Sequence, residues 1–119
     1  MIELSSRART QPPPPPIVWE SLADPRRPGG RQWLDLHSDE VEPRILRAVE
    51  PELVVWSSLW PERPDDEIRF DIRPTEDGGC SLRWMLLTPA EAPEQAVIDR
   101  LRHRLNFLIN AQLRFSFGQ

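Results

Sequence analysis

Lysine and tyrosine are absent from this chain of 119 residues, and Cys80 is its single cysteine. Without lysine there is no Schiff-base nucleophile and no P-loop phosphate ligand; all 15 basic residues are arginine. Without tyrosine the usual phenolic acids and bases are missing. One cysteine excludes an intrachain disulfide and a Cys-x-x-Cys zinc cluster. No apolar run reaches the ~18 to 20 residues of a membrane helix. The N-terminal MIELSSRART lacks the apolar stretch of a signal peptide, so a cytoplasmic location is expected. A net charge of −4 and a pI near 5.2 argue against nucleic-acid binding, which needs a basic footprint. What remains, 39% hydrophobic and 29% charged, is the composition of a soluble globular protein, and the length suits a single domain over 1–119.

Along the chain, Ile2 to Arg9 alternates loosely and suits a first strand at a sheet edge. Gln11 to Pro16 holds five consecutive prolines, which cannot continue a strand ladder. The last of them is well placed to open a short helix over IVWESLAD, which Asp24-Pro25 ends. A loop follows around Pro28-Gly29-Gly30. Trp33 to Leu36 reads as a short strand, and Arg44 to Val49 lies between Pro43 and Pro51.

The second half carries the clearest pattern. Three strand-like runs are expected at Glu52–Trp60, Asp66–Arg73 and Gly79–Thr88. In the middle run Ile68, Phe70 and Ile72 alternate with Arg69, Asp71 and Arg73, the period-two signature of a sheet with one dry and one wet face. Leu82, Trp84 and Leu86 repeat it. Thr75 to Gly79 joins these two runs as a tight hairpin, because Asp-Gly and Gly-Gly supply positive φ. The first run is ambiguous: Val54, Trp56, Ser58 and Trp60 lie on one face, Val55, Ser57 and Leu59 on the other. A helix is then expected from about Pro93 to Phe115, with Ile98, Leu101, Leu105, Leu108, Gln112 and Phe115 in one stripe and Arg100, Arg104 and Asn110 away from it. About 22 residues span about 33 Å, enough to cross a six-stranded sheet.

The order of PPPIVWESLADP, EVEPRILRAVEPELVVWSS, DDEIRFDIRPTEDGGCSLRW and VIDRLRHRLNFLINAQLRFSFG resembles the SRPBCC superfamily of START domains and birch-pollen allergens. Within it, bacterial polyketide cyclase- or dehydrase-like proteins are closest, with the activators of heat-shock chaperone ATPase as neighbours. The resemblance implies an α+β helix-grip fold, a curved antiparallel β-sheet wrapped around a long C-terminal α-helix. It also implies a cavity between sheet and helix for lipids, polyketides, sterols or plant hormones. The chain is short for that family, with little room for the usual second helix and a full hairpin, which implies a small, shallow or collapsed cavity.

If the grip forms, the ligand-binding set is Trp56, Ser58, Phe70 and Trp84 from the sheet with Leu101, Leu105 and Leu108 from the helix. The same aromatic residues equally serve as the core of a small domain. Ser57 and Ser58 interrupt an apolar strand without a Gly-x-Ser-x-Gly elbow, so no nucleophile is assigned. His37 stands near Asp35, Asp39 and Glu40 at spacings that match no metal-binding pattern; a solvated acidic loop is the better reading, and no metal or cofactor is expected. Arg69, Arg73 and Arg83, with Asp71, belong to the outer sheet face, as ordinary ion pairs or as a surface for a protein partner. Three functions remain: binding of a hydrophobic small molecule, a cyclase- or dehydrase-like enzyme, and a chaperone-activator type of interaction module with a filled core. The scarcity of acid–base groups for an apolar cavity weighs against the enzyme.

Overall fold

The computed structural model describes residues 1–118. The alternating run becomes strand β4 (Glu67–Pro74). It is flanked by β3 (Leu53–Ser57) and β5 (Cys80–Thr88), and beyond them lie the edge strands β2 (Ile45–Val49) and β1 (Ile2–Gln11). The order is β1-β5-β4-β3-β2, and each adjacent pair is antiparallel. The sheet has five strands, one fewer than expected, because Trp33–Leu36 forms no strand.

Register settles the ambiguous face of β3. Phe70 stands opposite Val54 on one side and Trp84 on the other, while Ile68 stands opposite Trp56 and Leu86. Paired residues project to the same face, so Val54 and Trp56 join the dry side with Ile68, Phe70, Leu82, Trp84 and Leu86. All of these are buried. The wet face carries Arg69, Asp71 and Arg83, as the alternation requires. Arg69 pairs with Asp71 at 3.1 Å, and Arg83 bonds Ser6 and Glu3 of β1.

Both helices cover the dry face. Helix α1 (Pro15–Ala23) starts in the proline run, where the missing N–H groups would have no intrahelical partner anyway. Its Leu22 carbonyl accepts from the Trp56 indole at 2.8 Å, and its Trp19 indole donates to the Leu53 carbonyl at 3.0 Å. Helix α2 (Gln95–Phe107) lies against β5, with the Trp84 indole donating to Asn106 at 2.9 Å. It runs on through a π-helical stretch, Leu108–Leu113, into a last α-helical turn, α3 (Arg114–Ser116).

The π-helical stretch corrects the expected stripe. Ile98, Leu101, Leu105 and Leu108 are buried as anticipated, but the face then advances to Ile109 and Leu113, and Phe115 is 69% exposed. A stretch bonded i→i+5 holds more residues per turn, so it rotates every later side chain around the axis. Arg104, expected off the stripe, is buried within it.

The β4–β5 hairpin turns where Gly78 adopts φ +88° and Gly79 passes the end of β1. A Cβ on Gly79 would lie 2.4 Å from the Gln11 carbonyl oxygen, which is backbone and cannot swing aside. Gly79→Ala is therefore expected to cost about 1–3 kcal/mol by overpacking. Urea denaturation checks this; an unchanged midpoint would contradict the close approach.

Candidate functional site

Between α1 and β2 the chain runs from Asp24 to Arg44 without helix or strand. Its second half crosses beside α2, and one arginine fixes it there. Arg104 projects from α2 with its side chain only 10% exposed, opposite a Glu40 side chain only 2% exposed. The guanidinium donates to the Glu40 carboxylate through Nε at 2.9 Å and Nη2 at 2.8 Å, and Nη2 also donates to the Asp35 carbonyl at 2.7 Å. The carboxylate accepts two further bonds, from the His37 backbone N–H at 2.8 Å and the Trp60 indole N–H at 3.1 Å. Burial alone would raise the Glu40 pKa; the Arg104 guanidinium and the His37 N–H outweigh it and hold the carboxyl below its ordinary value.

Beside this pair a cleft of about 350 Å³ opens between the segment and α2. It is lined by His37, Asp39, Glu40 and Trp60 on one side and by Arg100, His103, Arg104 and Phe107 on the other. Trp60 also belongs to the central hydrophobic cluster, so at that residue the cleft meets the outer surface of the core, next to the buried Arg104–Glu40 pair. Phe107 is half exposed and gives the mouth an apolar rim. Arg100 reaches Glu62 at 3.4 Å, an exposed pair that contributes little. No group of three His, Cys, Asp or Glu side chains placed to hold a metal occurs among the described residues.

The expected ligand-contacting residues occupy the layer beneath. Trp56, Phe70, Trp84, Leu101, Leu105 and Leu108 are all at most 1% exposed and belong to one cluster. Phe70 meets Trp56 edge-on at 4.8 Å. Ser58 lies just past β3, where its hydroxyl accepts from the Trp60 N–H at 3.0 Å and donates to the Trp60 carbonyl. The Ser57 hydroxyl accepts from the Arg44 N–H at 2.6 Å. Both serines serve backbone. Burial pushes the Cys80 thiol up to about 11, so it stays protonated and unreactive. The acidic group around His37, read as a solvated loop, instead supplies the buried carboxylate of the site. Its partner lies 64 residues away, and local sequence carries no signal for that contact.

No family model matches the chain, and no curated protein matches it. Solved structures do resemble it. CalU16 from Micromonospora echinospora aligns with a TM-score of 0.63 at 17% identity, over 88% of this chain and 70% of that one. The Aha1 dimer from Colwellia psychrerythraea aligns at 0.65 and 13% identity, over 94% of both chains. Ara h 8.0201 aligns at 0.56 and 12% identity, over 97% of both. The likeness is one of fold: the five-stranded antiparallel sheet and long C-terminal helix form an α+β helix-grip structure of the expected kind. No helix among the described residues is long and apolar enough to cross a membrane.

A carboxyl whose pKa is lowered on folding stabilises the native state above its unfolded pKa, ~4.3 for glutamate, and that contribution is lost as pH falls through the folded value. Glu40→Gln should therefore cost about 3 kcal/mol at neutral pH, where it leaves Arg104 without its counter-charge. The gap from the native sequence should narrow in acid. Denaturation curves across pH check this, and a gap that stays constant into strong acid would contradict it.

Proposed function

We propose that this protein binds a hydrophobic small molecule, lipid or polyketide-like, in the space between the sheet and the C-terminal helix. The cleft at Trp60 and Phe107 is the entrance. The observation that carries this reading is the cleft's construction: Trp60, a member of the core cluster, and the half-exposed Phe107 give it apolar surface, among the polar and charged His37, Asp39, Arg100 and His103 and the Arg104–Glu40 pair. In this reading a ligand passing inward meets Trp56, Phe70, Trp84, Leu101, Leu105 and Leu108, with Ser58 at the margin.

Magnitudes favour an amphipathic ligand over a bare hydrocarbon. Burying about 300 Å² of apolar ligand surface at ~25 cal/mol per Å² yields about 7.5 kcal/mol. Micromolar affinity needs about 8 kcal/mol net of the cost of association. Polar groups at the rim must supply the difference, and an acidic headgroup can do so beside Arg100 by displacing Glu62 from its exposed 3.4 Å pair.

A second reading is an interaction module whose interior is filled by its own side chains. The full burial of the inward aromatic set supports it. The wet sheet face with Arg69, Arg73 and Arg83 is then the surface for a protein partner.

Native mass spectrometry after exposure to medium- and long-chain fatty acids and polycyclic aromatic polyketides distinguishes the two. Ligand binding predicts a retained one-to-one complex, weakened at least about tenfold by Phe107→Ala with folding intact. No retained molecule across the panel would favour the interaction module.

A further inference from the structure

Trp33 and Leu34 lie in the irregular segment, yet they are only 5% and 2% exposed. The Trp33 indole stacks on Trp56 with ring centroids 5.9 Å apart and planes inclined by 22°. Phe70 meets the same Trp56 edge-on. An indole delivered by a loop thus covers the Trp56 ring on the sheet's dry face, where a flat ligand would stack.

No regular element keeps it there; the nearest backbone tether is the Asp35 carbonyl, two residues further on, held by Arg104. Residues 31–38 make no helical or strand ladder. The Trp33 indole N–H reaches the Ser21 carbonyl at a long 3.3 Å. On the N-terminal side stands Pro28-Gly29-Gly30, with Gly29 at φ +78°. On the C-terminal side the Arg104–Glu40 pair fixes the chain. Trp33 also borders a second cleft, of about 500 Å³, which Phe115 lines with an exposed ring. An indole leaving the interior therefore has an open cleft to enter, with the Phe115 ring to pack on among the polar side chains of Arg26, Gln32, Asp35 and Gln112.

We propose that Trp33 is a removable plug, and that the space it fills is a binding site for a planar aromatic ring system stacked on Trp56. This rests on the ligand-binding reading and narrows it, since a face-to-face place on an indole favours flat rings over saturated chains. A plugged site binds more weakly in proportion to the fraction of molecules with the plug out.

The test uses the full chain with indole and naphthol as probes, measured by calorimetry, and fluorotryptophan-labelled protein observed by fluorine NMR. Trp33→Ala should bind indole one-to-one at least about tenfold more tightly than the native sequence, because the site is already vacant. Trp33→Leu, which keeps apolar bulk, should shift affinity in the same direction and serves if the alanine variant does not fold. In the native sequence, saturating naphthol should move the Trp33 fluorine signal to a solvent-exposed position while that of Trp56 stays buried. Equal indole affinity in the native and substituted proteins would overturn the proposal. So would naphthol binding with Trp33 still buried, which would leave the ligand-binding reading standing. Failure of every protein to bind either probe would also overturn the proposal, while the ligand-binding reading stands or falls separately with the fatty-acid and polyketide panel.

Discussion

The ion pair between Arg104 and Glu40 determines how the rest of this structure is assembled. A guanidinium on the buried face of a helix is costly unless its charge is matched and its donors are used. Here the Glu40 carboxylate accepts from Arg104, from the His37 backbone and from the Trp60 indole, while Arg104 also holds the Asp35 carbonyl. Three parts of the chain meet at this carboxylate: the irregular segment, the connection after β3, and α2. A buried polar network of this kind favours one arrangement over nearby alternatives, because a shifted arrangement leaves the Glu40 carboxylate or its donors unpaired.

The pair fixes the path of the segment, and the path places Trp33 and Leu34 inside. A chain of this length with only five strands has limited means of burying apolar surface, and a loop-borne tryptophan adds core where regular elements do not. In the proposed binding mode, stability and binding would compete for the same volume. What makes the dry face well packed also occupies the place a ligand would take. The cleft beside Trp60 and the cleft beside Trp33 flank this filled region, and both are bounded by the segment that Arg104 holds.

Much of the fold is legible in the sequence where one period dominates. The alternation of Ile68, Phe70 and Ile72 with arginines and Asp71 identifies β4 and its faces, and Thr75 to Gly79 locates its hairpin. Where no single period holds, reading fails for identifiable reasons. Trp33 to Leu36 mimics a strand because its hydrophobic residues pack inward, yet its backbone joins no strand ladder. Strand β2 is exposed throughout, so its apolar residues reveal no buried face. On the last helix the π-helical stretch rotates the buried face, which places Leu113 inside and Phe115 outside. Arg104 and Glu40 each look like surface charges when read alone, and only the tertiary fold brings them together.

Native-state hydrogen exchange tests the central claim most directly. If the Arg104–Glu40 pair is what holds the irregular segment, the His37, Glu40 and Val41 amides, which bond Glu40, His37 and Leu59, should open together at a lower free energy than the amides of β4 and β5. Arg104→Gln should lower protection of those three amides selectively and leave the β4–β5 ladder close to its native value. Exchange of the segment only through global unfolding, or an equal loss of protection in the segment and the β4–β5 ladder, would contradict the account.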